Sequence, residues 1–148
     1  MFDLKKFNSK LYLIYTGIQR RASNIEQKKI KKIKKNYDYL NTIREISEEA
    51  YKYFLKSKKT NFFGKLLHET WLQKKKLHGS VSNKIINNIY EKAIDVGASG
   101  GKLLGAGAGG FILFYVEDNK RDKFLKAFKK DSYIDFNFER NGSKILRL

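Results

Sequence analysis

A chain of 148 residues has the length of one domain and can bury roughly 70% of its unfolded surface. Apolar residues make up 41% and aromatic residues 14%, which excludes a disordered tail although 32% of the residues are charged. There is no cysteine and there are only two histidines, which excludes a disulfide framework and a thiolate zinc site, so we expect no metal site. The apolar runs are too short for a signal peptide or a membrane span, and the expected compartment is the cytoplasm.

The net charge of +17 favours a polyanionic partner such as nucleic acid. Lysine supplies most of this charge, and a lysine-rich, arginine-poor composition also arises from A/T-rich codon usage. Because arginine is the preferred residue for bidentate contacts to phosphates and bases, its scarcity weakens the nucleic-acid interpretation. A basic nucleic-acid-binding module built on residues 28–35 is retained as an alternative function.

The N-terminal third predicts one strand followed by one or two helices. Residues 11–15 are apolar, aromatic or β-branched and run into a Thr-Gly pair, which predicts a buried strand and a turn. Apolar positions at three- and four-residue spacing over residues 25–54 predict helix. Ser23 or Asn24 can cap it, and Asn36 is the predicted break.

Two more helices are predicted in the middle of the chain. Thr60 is the predicted cap of a helix that continues to Lys75, and Ser82 is the predicted cap of another that carries Ala93. Gly97 fits the left-handed residue that ends such a helix.

The C-terminal part predicts a strand at residues 111–116, a helix at 119–130 and two final strands near 133–138 and 143–148. These elements predict an α+β domain of two layers. Its sheet would be mainly antiparallel, would contain residues 11–15, 111–116 and the C-terminal strands, and would be covered by helices.

A glycine-rich segment at residues 97–110 is the most informative part of the sequence, with seven glycines among fourteen residues. So many glycines cost conformational entropy, which is usually offset where the backbone needs positive φ or presents its N–H groups to a phosphate. The alternative is a simple tight connection between a helix and a strand.

Two common phosphate motifs are excluded. A Walker A loop would need glycine where Val96 stands and serine or threonine where Leu103 stands. Residues 105–110 match GxGxxG, but a dinucleotide fingerprint leads from a strand into a helix, whereas these glycines lead into the predicted strand 111–116.

The glycine-rich segment instead resembles a conserved motif of the GHMP kinases, the superfamily of galactokinase, homoserine kinase, mevalonate kinase and phosphomevalonate kinase. Residues 64–75, 81–83 and 15–23 extend the resemblance, most closely to the branch of heptose-phosphate kinases and fucokinases, over about residues 10–116. It implies that residues 1–148 form a ferredoxin-like C-terminal domain of an ATP-dependent sugar or sugar-phosphate kinase.

The resemblance also implies which residues face the cleft between the two kinase domains. The implied loop residues near phosphate and substrate are Gly100, Gly101, Lys102, Gly105, Ala106, Gly107, Ala108, Gly109 and Gly110. The implied substrate-proximal residues elsewhere are Thr16, Gly17, Arg20, Glu69, Trp71 and Lys74. Alternatives remain for three of them: Trp71 as core, Glu69 as the partner of a lysine one turn away, and Lys74 on a solvated face.

Two departures from the family pattern matter. Ala108 stands where the family usually has glycine, which predicts strain if that position needs positive φ. The family's nucleotide-binding motif and catalytic aspartate have no counterpart here. The expectation is therefore that ATP and Mg²⁺ are bound mainly by a missing N-terminal half, that no catalytic residue lies on this chain, and that the chain alone is inactive.

Two further expectations follow. The chain could instead be a non-catalytic interaction subunit that docks the missing half. A valine at Gly107 is expected to block ligand or partner while leaving the fold intact, because the loop is interpreted as a functional surface and not as a structural connection.

Overall fold

The computed structural model describes residues 3–19, 33–56, 60–128, 133–134 and 136–139, together with Gly142 and Ile145. The helices are α1 (Leu4–Asn8), α2 (Tyr37–Lys56), α3 (Phe63–Leu77), α4 (Lys84–Asp95) and α5 (Arg121–Ala127). The strands are β1 (Leu11–Tyr15), β2 (Ala98–Leu103), β3 (Phe111–Val116) and β4 (Tyr133–Ile134). Short 3₁₀ turns at Gly79–Val81 and Asp118–Lys120 precede α4 and α5. Within the part of the chain just defined, no helix combines the length and the hydropathy that a bilayer span requires.

The four strands form one antiparallel sheet in the order β2-β3-β1-β4. The predicted strands at residues 11–15 and 111–116 are observed with the predicted bounds and pair with each other, so that Leu13 lies opposite Leu113. This arrangement confirms the α+β class and the antiparallel sheet. The strand predicted near residues 133–138 is shorter than predicted, because β4 contains two residues and residues 136–139 form no strand. The strand predicted near residues 143–148 lies, apart from Ile145, outside the described residues.

Side chains from alternate positions of the sheet build two hydrophobic clusters on opposite faces. The larger one joins Ile14 and Phe114 to Trp71 of α3, Tyr90 of α4 and Phe124 of α5. Each fully buried large side chain of this kind contributes about 1.5–3 kcal/mol from burial. These contacts hold α3, α4 and α5 against the sheet.

The smaller cluster is mostly aromatic and lies on the opposite face. Phe7 of α1 packs edge-on against Phe54 of α2 and Phe63 of α3, with ring centroids 5.4 Å and 5.1 Å away. Leu11 and Tyr115 complete it from the sheet. Helix α3 thus contributes to both clusters, because it runs alongside β2 at the edge of the sheet.

Strand β2 corrects the prediction of a continuous loop over residues 97–110, since residues 98–103 pair with β3. The glycines of β2 allow the backbone of α3 to pack directly against the backbone of the strand. A Cβ atom built on Gly100 would lie 1.9 Å from the carbonyl oxygen of Gly64 in α3. The glycines of β2 therefore serve a close approach between helix and strand, and α3 covers what would otherwise be an open sheet edge.

Two helix boundaries predicted from the sequence are confirmed. Helix α2 begins directly after Asn36, whose buried side chain donates from Nδ2 to the carbonyl oxygen of Leu77 at 2.8 Å. Gly97 follows α4 with φ +111°, in the conformation predicted for it. The suggested caps Ser23 and Asn24 lie outside the described residues.

Two predicted caps are wrong. Asn83, not Ser82, caps α4 by accepting a hydrogen bond from the backbone N–H of Ile86 at 3.0 Å. The hydroxyl of Thr60 shares a 2.7 Å hydrogen bond with that of Tyr115, so α3 begins without a side-chain cap. At α4 the neighbouring residue, of similar capping propensity, makes the cap, whereas at α3 the hydroxyl of Thr60 is used in a tertiary contact.

Candidate functional site

The loop between β2 and β3, residues 104–110, is held at one end by the segment that follows β1. The backbone N–H and the hydroxyl of Thr16 both donate to the carbonyl oxygen of Gly110, at 2.9 Å and 2.8 Å. The N–H of Gly110 donates to the carbonyl oxygen of Ile18 at 3.0 Å. The position of this end of the loop is therefore fixed by three hydrogen bonds.

The middle of the loop is fixed by the segment before α4. The N–H of Ala108 donates to the carbonyl oxygen of Val81 at 2.6 Å, and the carbonyl oxygen of Ala108 accepts from Nδ2 of Asn83 at 3.3 Å. Ala108 has φ +62° and, within the described part of the chain, is the one non-glycine residue with positive φ. The strain predicted for an alanine at this position is therefore present.

Ala108→Gly is expected to raise the free energy of unfolding by up to about 1 kcal/mol. Left-handed backbone costs an L-residue roughly 1–2 kcal/mol, and the greater freedom of glycine in the unfolded chain offsets roughly 0.5–1 kcal/mol of that gain. Thermal unfolding measures the difference as a rise in Tm of up to about 4 °C.

Ala106→Gly is the matched control, because Ala106 is buried in the same loop without positive φ and should lose stability. Equal losses in both variants would contradict the strain at Ala108.

Lys74 anchors the start of the loop. Its buried ammonium donates to the carbonyl oxygens of Leu103 and Gly105, at 2.8 Å and 2.5 Å. This corrects the expectations that Lys74 contacts substrate or lies on a solvated face, because its donors are directed at the loop backbone. Lys74 therefore positions the loop.

Four backbone donors of the loop have no acceptor among the residues that the structure describes, namely the N–H groups of Gly105, Ala106, Gly107 and Gly109. Ala106 and Gly109 are buried, where an N–H group without a partner is costly. A cavity of about 600 Å³ lies beside the loop and is bordered by Gly109 and by Tyr15, Phe111 and Ile134. The loop thus offers donors of the kind that bind anionic oxygens.

Lys102 adds a positive charge on the same side of the sheet. It lies opposite Leu113, so its side chain shares a sheet face with Tyr15 and Phe111 at the cavity. Burial lowers the pKa of Lys102 below its ordinary value of 10.5. Within the described ranges no carboxylate forms an ion pair with it. A half-buried ammonium in this state favours an anionic ligand.

Residues 52–134 match the family model described as GHMP kinases C terminal, which is more than half of the chain. The chain belongs to the GHMP kinase family. The D-glycero-alpha-D-manno-heptose 7-phosphate kinase of Campylobacter jejuni is 36% identical to it over 151 residues, covering 97% of this chain and 43% of that protein. The chain therefore spans less than half the length of this curated GHMP relative.

Solved GHMP structures have the same fold. The mevalonate kinase of Methanococcus jannaschii gives a TM-score of 0.68 at 25% identity over 85% of this chain and 38% of its own. The L. major mevalonate kinase, solved in complex with R-mevalonate, gives 0.67 at 20% identity over 79% of this chain and 36% of its own. These likenesses confirm the fold class and the family resemblance found in the sequence.

The other described residues implied by the GHMP resemblance lie in different parts of the structure. Trp71 is completely buried in the larger cluster, with its ring centroid 6.2 Å from that of Tyr90, which corrects the expectation that it overlooks a substrate. Glu69 lies 3.8 Å from the ammonium of Lys65 one turn earlier. Gly17 is exposed next to Thr16 with φ +74°, and Arg20 lies outside the described residues.

Gly107 is packed more tightly than the sequence suggested. A Cβ atom on it would lie 2.9 Å from the carbonyl oxygen of Val81, and its φ is +113°. The expectation that Gly107→Val leaves the fold intact is therefore wrong, because the branched side chain would push against backbone. Val81 and Asn83 are the loop-positioning residues whose role the sequence did not reveal, although both lie in a string that resembles the GHMP kinases.

Proposed function

We propose that this chain is the substrate-side half of an ATP-dependent sugar-phosphate kinase whose acceptor is a heptose phosphate or a similar sugar. The observation that carries the proposal is the anchored loop 104–110, with its unpaired N–H groups and the half-buried Lys102 on the cavity face. The 36% identity to a heptose 7-phosphate kinase supports the substrate class.

The proposed role of the loop is electrostatic. Phosphoryl transfer requires little covalent chemistry from the protein and depends on positioning and on stabilising negative charge. The unpaired N–H groups of the loop would bind anionic oxygens of the sugar phosphate or of the transferred group. Lys102 would contribute a charge-assisted hydrogen bond. Because Thr16 and Lys74 already fix the loop, binding would require little rearrangement.

Other residues contribute to the proposal indirectly. Gly100 and Gly101 belong to β2 and place Lys102 on its face of the sheet. Gly17 and Arg20 would border the cavity from the segment after β1. Glu69 and Trp71 lie on α3 and have no role in this proposal.

ATP and Mg²⁺ are proposed to be held mainly by a nucleotide-binding half that docks on the cavity side. Among the described residues no three His, Asp or Glu side chains come together as a metal site. The donor set in these ranges does not fit Mg²⁺. The cytoplasm, where ATP is supplied, is the proposed compartment.

A domain replacement tests the function. This chain is fused in place of the matching part of the C. jejuni kinase, and ATP-dependent phosphorylation of heptose 7-phosphate is measured. We expect turnover by the chimera, and we expect the 148-residue chain alone to unfold cooperatively without turnover. A folded chimera that phosphorylates no sugar or sugar phosphate would favour the interaction-subunit alternative. Sugar phosphorylation by the isolated chain would contradict its assignment as half of a site.

The nucleic-acid alternative rests on residues 28–35, of which the structure describes Ile33, Lys34 and Lys35, all exposed. Point-charge contacts of this kind bind phosphates weakly and lose affinity as salt rises. Membership of a kinase family favours the kinase proposal over this alternative.

A further inference from the structure

One face of the sheet is well covered near α1 and less covered near the loop 104–110. At the α1 end, Leu11 and Tyr115 are buried in the smaller cluster, with 6% and 0% of their surface exposed. At the loop end of the same face, Tyr15 and Phe111 are only half-buried. In the part of the chain that the structure describes, these two rings belong to neither hydrophobic cluster. The loop end of this face therefore presents apolar surface that the core of the domain does not use.

Tyr15 and Phe111 together form a continuous aromatic surface. They lie directly opposite each other on β1 and β3, with their ring centroids 5.1 Å apart and their ring planes at 41°. Both rings border the cavity of about 600 Å³ beside the loop, together with Ile18 and Ile134. This volume lies within the usual range for a small-molecule site. The cavity thus has an apolar wall made of two aromatic rings and two aliphatic side chains.

The polar groups at the cavity are few and uncharged. Gln19 supplies a side-chain amide, and Gly109 supplies a backbone N–H group that no described residue accepts from. Among the residues that the structure describes, no carboxylate, lysine, arginine or histidine borders the cavity. A lining of this kind suits the uncharged part of a ligand, whereas the loop N–H groups and Lys102 suit its anionic part.

The ring of a sugar has the chemistry and the shape that this wall requires. Its C–H groups pack favourably on the electron-rich face of an aromatic ring, and its hydroxyls can form hydrogen bonds with the amide of Gln19. Because the planes of Tyr15 and Phe111 meet at 41°, a flat nucleobase can lie parallel to only one of them. A puckered, saturated ring can contact both. The wall therefore favours a sugar ring over adenine.

We propose that Tyr15 and Phe111 form a platform on which the ring of the acceptor sugar stacks, and that they select a cyclic sugar as the substrate. This inference rests on the kinase function proposed above and names the residues that bind the uncharged part of its substrate. Gly109 precedes Phe111 by two residues in the anchored loop. The backbone donor for anionic oxygens and the platform for the ring are therefore held at a fixed separation.

Saturation-transfer NMR on the 148-residue chain tests the platform without requiring turnover. The probe is D-glycero-alpha-D-manno-heptose 7-phosphate, the compound in the name of the C. jejuni relative. It is added up to about 10 mM, because half of a site is expected to bind with a dissociation constant on the order of 1 mM. We expect saturation transfer to the C–H protons of the sugar ring.

Substitutions at Tyr15 separate stacking from apolar contact. Tyr15→Leu keeps an apolar side chain but removes the ring, and it should weaken binding about fivefold or more. Tyr15→Phe keeps the ring and should retain affinity within about twofold. Tyr51→Leu is the matched control, because it makes the same replacement at an exposed position of α2 that does not border the cavity. Circular dichroism verifies that the variants are folded.

The unmodified chain provides a second measurement that needs no substitution. The ring proton resonances of Tyr15 and Phe111 should shift when the heptose 7-phosphate is added, and those of Tyr51 should not. The proposal is overturned if these resonances do not shift, if the sugar receives no saturation at about 10 mM, or if Tyr15→Leu binds as well as Tyr51→Leu.

ATP is the second probe, because adenine is the other ring that could stack on the platform. Saturation of adenine protons that depends on Tyr15, in place of the sugar protons, would assign the platform to the nucleotide and overturn the proposal.

The chimera with the C. jejuni kinase separates a failure of the platform from a failure of the kinase function. A folded chimera that phosphorylates no sugar, while the chain binds the sugar phosphate through Tyr15, would contradict the kinase function alone. An active chimera whose KM for heptose 7-phosphate is unchanged by Tyr15→Leu would contradict the platform alone.

Discussion

Gly100→Ala is expected to destabilise the chain by about 3 kcal/mol or more, an overpacking effect at the upper end of its usual range. The new methyl group would lie 1.9 Å from the carbonyl oxygen of Gly64 and 3.0 Å from Cβ of His68. Gly64 cannot retreat without moving α3, because it is itself buried against Ser99 of β2. Chemical denaturation measures the loss as a lower midpoint.

Gly79→Ala provides the control for this variant. Gly79 is exposed, does not have positive φ, and has no atom within 4 Å of the position that a new methyl group would take. Its replacement should change stability by less than about 1 kcal/mol, and in the stabilising direction. Equal midpoints for the two variants would mean that α3 and β2 do not approach each other as closely as described.

In the chimera with the C. jejuni kinase, Lys102→Met is expected to reduce the affinity for the sugar phosphate by roughly 10- to 100-fold. This corresponds to the loss of one charge-assisted hydrogen bond of about 1.5–3 kcal/mol. The same variant should be as stable as the unmodified chain or more stable. The reason is that burial lowers the pKa of Lys102 and thus disfavours its charged form in the folded state.

The pH dependence of stability gives an independent measurement. Because the folded-state pKa of Lys102 lies below 10.5, the unfolded chain holds more protons on this group between the two values. The contribution of Lys102 to stability is therefore unfavourable at neutral pH and is relieved as pH rises towards 10.5. Lys102→Met should lack this rise.

Lys76→Met is the control, because it removes one positive charge at an exposed position of α3. This variant should keep its affinity for the sugar phosphate. If Lys102→Met lowers Tm and leaves affinity unchanged, Lys102 has a structural role.

The strands with dense apolar sequence could be predicted from the sequence residue for residue, whereas β2 could not. Residues 11–15 and 111–116 are continuous apolar and aromatic runs, which few structures other than a buried strand accommodate. The sequence of β2 is Ala-Ser-Gly-Gly-Lys-Leu, with two glycines that disfavour a strand. It forms a strand because β3 pairs with it and α3 packs against its backbone, and neither contact has a local signal.

At the candidate site, the loop and its strained alanine could be predicted, but the roles of individual helix residues could not. Helical spacing indicates that Trp71 and Lys74 share one side of α3, yet it does not tell which side is buried. Because α3 contacts both hydrophobic clusters, it has little purely exposed surface, and Lys74 is buried with its ammonium on the loop carbonyls. The contact of Lys74 with the loop could not be predicted from α3 alone, because the loop lies about 30 residues further along the chain.

The hydrogen bonds from Thr16 to the carbonyl oxygen of Gly110 join positions that are 94 residues apart in the chain. During synthesis β1 emerges first and has no strand to pair with until β3 follows about a hundred residues later. Closing so long a segment costs entropy before any contact compensates for it, which slows folding. A ribosome-bound intermediate would therefore expose the apolar side chains of β1 until β3 has been synthesised. We therefore expect residues 11–15 to be a segment of the nascent chain that a chaperone binds.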